Sequence, residues 1–334
     1  MKIIIYEVED WERPSFEKVA EESEHEVIFV PRPLSAENAA ENSDAEIIST
    51  FIYSDLDAEV LNKFTNVKLI ATRSTGYDHI AIDTCRERGI TITNVPSYGD
   101  NTVAEHVFGL LLSISHNIPR AIYQTRMGDF SQRNLQGFDL QGKTLGVFGT
   151  GNIGEHVIRI AKGFGMEVAA YDVKPRKKLA DELGFCYGSM EEVLYGSHVI
   201  TLHVPATPKT RHLIGEREFK LMRDGVVLIN TARGNIVDNE ALLHALADGK
   251  VAAAGLDVLP EEPAIREEAE LVRSVFRKSH NLETLLVNHI LLRMRNVIIT
   301  PHSAFNTREA IQRIINTTIE NIQSFLEGTP TNKV

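Results

Sequence analysis

The stretch TLGVFGTGNIG, residues 144–154, decides how the rest of the chain is read. Thr144 to Phe148 form a short apolar run of the kind that fills the middle of a sheet. Gly149, Gly151 and Gly154 follow at Gly-x-Gly-x-x-Gly spacing and lead into EHVIRIAKGFG, whose apolar spacing is helical. At such a turn the first glycine allows a tight bend. The second lets the backbone approach a pyrophosphate, and the third lets the helix pack closely on the strand. The free N–H groups and the dipole at the helix N-terminus favour the anion.

A second strand, EVAAYD (167–172), comes after that helix and ends on Asp172. A carboxylate in that place accepts hydrogen bonds from the ribose hydroxyls of adenosine and repels a 2′-phosphate, so the expected cofactor is NAD rather than NADP. Lys174, Arg176, Lys177 and Lys178 come next. They read as a solvated basic helix start, with help in holding a phosphate as the other reading.

Working outward, short apolar runs alternate with helical patterns almost throughout. KIIIY (2–6), HEVIFV (25–30), AEIISTFIY (45–53) and VKLIATR (67–73) read as strands, with SFEKVAEES and DAEVLNKF as helices between them. A long apolar helix, NTVAEHVFGLLLSISHNI, starts near Asn101. After it comes a second series of strands: TLGVFG, EVAAYD, HVITLHV, GVVLINT, AAAGLDV and NVIITPH. A last helix spans about Arg308 to Glu327. Strands alternating with helices imply βαβ units and parallel sheets. The expected fold is therefore α/β, with two doubly wound domains: residues 1–100 plus 303–334, and residues 101–302.

The bulk properties agree with this. With 334 residues the chain has room for about two domains. Hydrophobic residues make up 43% and charged residues 24%, ordinary values for a globular protein. A net charge of -11 argues against nucleic acid or an anionic membrane surface as partner. Cys85 and Cys186 lie far apart and lack metal-ligand spacing, so no metal site is expected and a reducing cytosol fits. No apolar run is long enough to span a membrane. A cytoplasmic protein is expected.

Three strands of the second series end on polar groups. LINTARG (228–234) delivers Arg233, GLDVLPEEP (255–263) delivers Asp257 and Glu262, and NVIITPHSAF (296–305) delivers His302. The C-terminal ends of parallel strands open into the ligand crevice. An arginine, a carboxylate and a histidine at that edge, beside a nicotinamide, suit hydride transfer between a 2-hydroxy acid and a 2-oxo acid. The guanidinium of Arg233 grips a carboxylate in a bidentate way and polarises the carbonyl. His302 exchanges the hydroxyl proton, because imidazole titrates near neutral pH. Glu262, paired with His302, stabilises the imidazolium.

The motifs GTGNIG, LHVPATPKTRHLI, LINTARGNIVD, GLDVLPEEP and ITPH together resemble the D-isomer-specific 2-hydroxyacid dehydrogenase family along nearly the whole chain. Its NAD-dependent D-lactate branch is suggested by TRSTGYDHI (72–80), NVPSYGDNTVAEH (94–106) and a helical insertion from about Ala264 to Arg295. The resemblance implies two Rossmann-like domains with an active-site cleft between them, the first for substrate and the second for NAD. It also implies homodimers built through the coenzyme domain. Carried over, the catalytic set is Arg233, Glu262 and His302. Asn152 and Ile153 contact the pyrophosphate, with Asp172 on the adenosine ribose. Val204, Pro205 and Thr210 line the adenine side, while Thr231, Ala232 and Asp257 lie near the nicotinamide, Asp257 fixing its carboxamide. The lactate branch implies that the N–H groups of Thr75 and Gly76 bind the substrate carboxylate. Tyr98 and Tyr53 close over the substrate, Phe51 competing with Tyr53 for that place.

The substrate is then a small 2-oxo or 2-hydroxy acid, with pyruvate and D-lactate first. Hydroxyisocaproate, glyoxylate, hydroxypyruvate and phosphoglycerate oxidoreductases are alternatives on the same scaffold. A non-enzymatic NAD-sensing protein of the corepressor kind is the alternative from another class.

Overall fold

Four isoleucines in one row show how the smaller sheet is made. Ile4, Ile48, Ile70 and Ile92 stand in register on neighbouring strands and point into one buried cluster. In a computed structural model of the protein, which describes residues 1–10, 12–21, 24–260 and 282–334, the chain divides into two compact units. They are Met1–Gly99 with Asn306–Val334, and Asp100–Phe305.

The smaller unit holds β1 (Lys2–Tyr6), β2 (Glu26–Val30), β3 (Ile47–Thr50), β4 (Leu69–Thr72) and β5 (Thr91–Thr93). All are parallel, in the order β2-β1-β3-β4-β5. Strand order reverses between β1 and β3, and such a switch point opens a crevice at the strand C-termini. The helix Arg308–Leu326 packs on β4 and on the helix Arg13–Glu21, burying Ile311, Ile314, Ile315 and Ile322. The chain end then returns to β5. Lys333 bridges Thr93 in antiparallel fashion, and the Asn94 N–H donates to the Asn332 carbonyl at 3.1 Å.

The larger unit holds β6 (Thr144–Phe148), β7 (Glu167–Tyr171), β8 (Cys186–Tyr187), β9 (Val199–Leu202), β10 (Val226–Asn230), β11 (Val251–Leu256) and β12 (Val297–Ile299). The order is β12-β11-β10-β9-β6-β7-β8, all parallel, with its reversal between β6 and β9. Side chains alternate between the two faces of a strand. Leu145, Val147, Val199 and Ile229 meet Val107, Phe108 and Leu111 of the helix Asp100–Ser115. Phe148, Ile200, Leu202 and Leu228 face the opposite layer, with Leu242 and Leu246 of the helix Asn239–Ala247. Both faces are covered, which is why these strands read as continuous apolar runs.

Two boundaries differ from the sequence reading, and two short strands go beyond it. The strand expected over 45–53 stops at Thr50, because the next residues turn to give their N–H groups to a side chain instead of a neighbouring strand. The long helix expected from Asn101 ends at Ser115. Asn117 takes a left-handed conformation at φ 52°, and Pro119 opens a separate helix, Ile118–Arg126. β5 and β8 are too short, at three and two residues, to carry a strand pattern of their own.

Candidate active site

Steric limits set the glycine loop after β6. Gly149 adopts φ +92°, and a Cβ there would meet the His203 carbonyl oxygen at 2.5 Å and Val204 Cγ1 at 3.2 Å. A Cβ on Gly154 would lie 2.1 Å from the Gly149 carbonyl oxygen. These two glycines let β6, the end of β9 and the helix Asn152–Gly163 close on one another. Gly151 is different, because a Cβ there would meet nothing within 4 Å. It is the N-cap of that helix and supplies no side-chain cap, so the first N–H groups of the helix, at Asn152 and Ile153, have no intrahelical acceptor. This is the cradle that a pyrophosphate requires.

Asp172 ends β7 beside the cradle. One carboxylate oxygen accepts the Thr150 N–H at 2.7 Å and the Thr150 hydroxyl at 2.8 Å; the other accepts the Lys174 N–H at 2.8 Å. Burial opposes its ionisation most strongly, but these bonds and the Arg176 charge outweigh it and hold the pKa below the usual carboxylate range. This carboxylate is therefore an anion at neutral pH. Arg176, one of the four basic residues after it, is committed to the loop. Its guanidinium donates to the Thr150 carbonyl and, at 3.3 Å, to that of Gly151, and pairs with Glu155 at 3.2 Å. Thr150 and Tyr187 join this site without having been read from the sequence as site residues. The Tyr187 hydroxyl reaches the Thr150 hydroxyl at 2.8 Å and takes the Arg176 N–H at 3.1 Å.

After β9, the Thr210 hydroxyl donates to the Pro205 carbonyl at 2.6 Å and accepts the Thr207 N–H at 2.8 Å, which folds that loop on itself. At the β10 end, Thr231 is buried and its hydroxyl has no hydrogen-bond partner among the described residues. An unpaired buried hydroxyl costs stability unless something else satisfies it. The open cradle, the ionised Asp172 and this hydroxyl fit a dinucleotide.

Strand register sets where Arg233 and His302 stand. Asn230, Leu256 and Ile299 are aligned on β10, β11 and β12. Arg233 and His302 lie equally far beyond that row, so both leave the sheet at the same edge. Asn230 shapes the β10 end by accepting the Ala232 N–H at 3.0 Å and donating to the Arg233 carbonyl at 2.9 Å. Arg233 is half-buried, with one guanidinium N–H on the Ala232 carbonyl at 2.9 Å. At Gly234 a Cβ would come within 2.1 Å of the Leu259 carbonyl carbon, so glycine alone lets this end lie against the Leu259–Pro260 backbone. Glu262 lies outside the described residues.

His302 is half-buried and left-handed at φ 51°, in a turn that Asp257 builds. The His302 N–H donates to the Asp257 carbonyl at 2.9 Å. The Asp257 carboxylate, fully buried, accepts the Thr300 hydroxyl at 2.5 Å and the Ser303 and Ala304 N–H groups at 2.9 Å. His106 Nε2 lies 3.4 Å from it and 3.0 Å from the Thr300 hydroxyl. Burial works against ionisation here too, yet the bonds from His106, Thr300, Ala304 and Ser303 bring the pKa below the usual range. Asp257 is thus occupied in shaping the turn that carries His302, a task its expected contact with a carboxamide did not suggest. His106 and Thr300 stand in the stretches NVPSYGDNTVAEH and ITPH, but their contact with Asp257 joins positions far apart in sequence, which local spacing does not show.

In the smaller unit the Thr75–Gly76 turn follows β4. The Thr75 hydroxyl donates to the Val95 carbonyl at 2.7 Å, the Ser74 hydroxyl to Gly76 at 2.6 Å, and Asn94 to the Thr75 carbonyl at 2.8 Å. The N–H groups of Thr75 and Gly76 find no acceptor among the described residues. Two neighbouring N–H groups on a braced turn are an anion site of the nest type. Tyr98 and Tyr53 are both half-buried. Arg313 of the last helix donates to the Tyr98 carbonyl at 2.5 Å. Tyr53 sits edge-on to Phe51, with ring centroids 6.1 Å apart.

Residues 108–304 match the model of the D-isomer specific 2-hydroxyacid dehydrogenase NAD-binding domain. Over 330 residues the chain is 34% identical to a D-lactate dehydrogenase of Escherichia coli K12, covering 98% of each chain. An aromatic 2-oxoacid reductase of Clostridium sporogenes is 35% identical over 340 residues, covering 100% of this chain and 99% of that one. Among solved structures, a D-lactate dehydrogenase of Aquifex aeolicus complexed with NAD and lactic acid superposes with a TM-score of 0.86. It is 36% identical, covering 98% of this chain and 96% of that one. Parallel sheets of this topology, a dinucleotide cradle and these likenesses have one meaning: the chain belongs to the D-isomer-specific 2-hydroxyacid dehydrogenases, NAD-dependent oxidoreductases.

Proposed function

We propose that this enzyme reduces pyruvate with NADH to D-lactate. The observation that carries the reading is the aligned end of β10 and β12, which sends Arg233 and His302 from one sheet edge beside a dinucleotide cradle. Bound NADH supplies the hydride. Arg233 holds the substrate carboxylate and polarises the carbonyl, and His302 gives its proton to the forming alkoxide. Glu262 stabilises the imidazolium. The unpaired N–H groups of Thr75 and Gly76 support a role in binding the carboxylate. Tyr98 and Tyr53 cover the substrate, and the Phe51–Tyr53 pair limits its side chain. The unit Met1–Gly99 with Asn306–Val334 binds the acid, and Asp100–Phe305 binds NAD. The lactic acid complex of the Aquifex relative supports the choice of acid.

A homodimer through the coenzyme unit is part of the same reading. The helix Ile118–Arg126 and the residues beside it leave Ile118, Ile122, Tyr123, Met127 and Phe130 exposed, an apolar surface of the kind that marks an interface. Cytoplasmic residence accords with two free cysteines and with the finding that no described helix is long and apolar enough to cross a membrane.

The test is initial-rate NADH oxidation with pyruvate, phenylpyruvate, 2-oxoisocaproate, glyoxylate and hydroxypyruvate, in wild type and Arg233→Gln. Preference for pyruvate is expected, and the variant should lose roughly 10²–10³-fold in kcat/KM with NADH binding kept. Preference for another acid moves the enzyme to a neighbouring branch. An unchanged kcat/KM in the variant removes Arg233 from its role. No turnover of any acid would favour the NAD-sensing reading.

A further inference from the structure

At the switch point of the smaller sheet, between the C-terminal ends of β1 and β3, a buried carboxylate fills the place where a crevice is expected. Glu7 follows β1 in a left-handed conformation, at φ 57°, which is strained for a residue other than glycine, asparagine or aspartate. Its side chain crosses to the segment after β3. One carboxylate oxygen accepts the Tyr53 N–H at 2.8 Å; the other accepts the Phe51 N–H at 2.7 Å and the Ser54 hydroxyl. Ser54 in turn accepts the Leu34 N–H at 2.9 Å. Three donors converge on one group, and an ionised carboxylate is the side chain that offers acceptors only.

Arg73, at the end of β4, completes the arrangement from below. It is 1% exposed, donates to the Glu7 carbonyl at 2.8 Å and lies 4.0 Å from Glu12. Its guanidinium carbon is 5.7 Å from the centre of the Phe51 ring and 5.9 Å from that of Phe16. A cation held against a ring face adds attraction beyond packing. Both the backbone and the ring of the Phe51 segment are therefore fixed by buried charges.

We propose that Glu7, backed by Arg73, is a positioning residue that sets which acyl side chain the enzyme accepts, by locking residues 51–54 and with them the Phe51–Tyr53 pair. This rests on the reading that this pair limits the substrate side chain. Glu7 touches no substrate; it acts through the segment it holds. Replacing one acceptor oxygen with an amide NH₂ sets donor against donor, so the segment leaves its position and the pocket changes shape.

The test compares wild type with Glu7→Gln in three readouts: hydrogen exchange at residues 51–54, the ratio of kcat/KM for pyruvate over phenylpyruvate, and NADH affinity. Expected are faster exchange at Phe51 and Tyr53 and a ratio shifted about tenfold or more, the scale on which pocket shape discriminates between side chains. NADH affinity should be unchanged. A lower melting temperature with an unaltered ratio, or unaltered exchange, overturns the proposal. If Glu7→Gln does not fold, Ser54→Ala loosens the same contact more gently and should move exchange and ratio in the same direction; no movement overturns the proposal. Absence of 2-oxo acid turnover in wild type would instead overturn the functional reading and the selectivity role together, while the exchange data still decide whether Glu7 locks the segment.

Discussion

Asp257→Asn separates two roles for one buried side chain. In the structure the carboxylate accepts bonds from the Thr300 hydroxyl and from the Ser303 and Ala304 N–H groups, with His106 beside it, and is fully buried. An asparagine keeps one oxygen and turns an NH₂ toward at least one of those donors. Leaving a buried N–H without an acceptor costs about 1–3 kcal/mol, and the remaining bonds lose their charge assistance. The sum is roughly 2–4 kcal/mol, which for a unit of this size lowers the melting temperature by roughly 5–15 °C. The pKa of Asp257 is depressed in the folded state, so its stabilisation is present above the ordinary aspartate value and fades as pH falls through the lower folded one. The variant has no such group, and its stability should decline less steeply below about pH 4. Calorimetry between pH 3 and 8 measures both effects, with kcat and the NADH KM taken at pH 7. Because the same turn carries His302, kcat should fall well before NADH affinity does. A variant with wild-type melting temperature and acid limb but a raised NADH KM would refute this reasoning, and would return Asp257 to the nicotinamide carboxamide.

His302→Asn keeps a residue that tolerates φ 51° but removes the proton donor, so kcat should drop by about 10²–10⁴-fold with NADH affinity kept; stopped-flow turnover checks it. Gly151→Val and Gly154→Ala should part company. The first places methyl groups in open space at the helix N-terminus and weakens NADH binding at unchanged melting temperature, whereas the second drives a Cβ against the Gly149 carbonyl and lowers stability; titration calorimetry and thermal melts tell them apart. Asp172→Ser removes an ionised acceptor, so NADH affinity should fall and the preference over NADPH should narrow, read from the ratio of the two KM values.

The fold was legible because its signals are local. Apolar runs with covered faces, glycines at fixed spacing and the alternation of strands with helices all lie within short windows of sequence, and they placed β1–β4, β6, β7 and β9–β12. The same holds for the placement of candidate site residues that sit one or a few positions past a strand, such as Asp172, Arg233 and His302: a strand's end is predictable, and so is the edge it reaches. The end of the long helix was misread for a local reason, the left-handed Asn117 before Pro119, whereas the end of β3 was set by a long-range contact. β3 ends at Thr50 because a carboxylate on residue 7 takes the amides of residues 51 and 53.

What the sequence by itself determined is the set of strands, the dinucleotide loop and the polar groups at the strand ends, because each follows from periodicity or sterics over a few residues. Only the tertiary structure decided what those groups touch. Asp257 is read from its motif as a cofactor contact, and the fold turns it onto the backbone that carries His302. Glu7 lies in no motif, and Arg73 stands in TRSTGYDHI with no role of its own; sixty-six positions apart, they become partners because β1 and β4 end on the same edge of one sheet. Hydrogen bonds and buried charges depend on distance in space, and that distance exists only once the strands have been put in order.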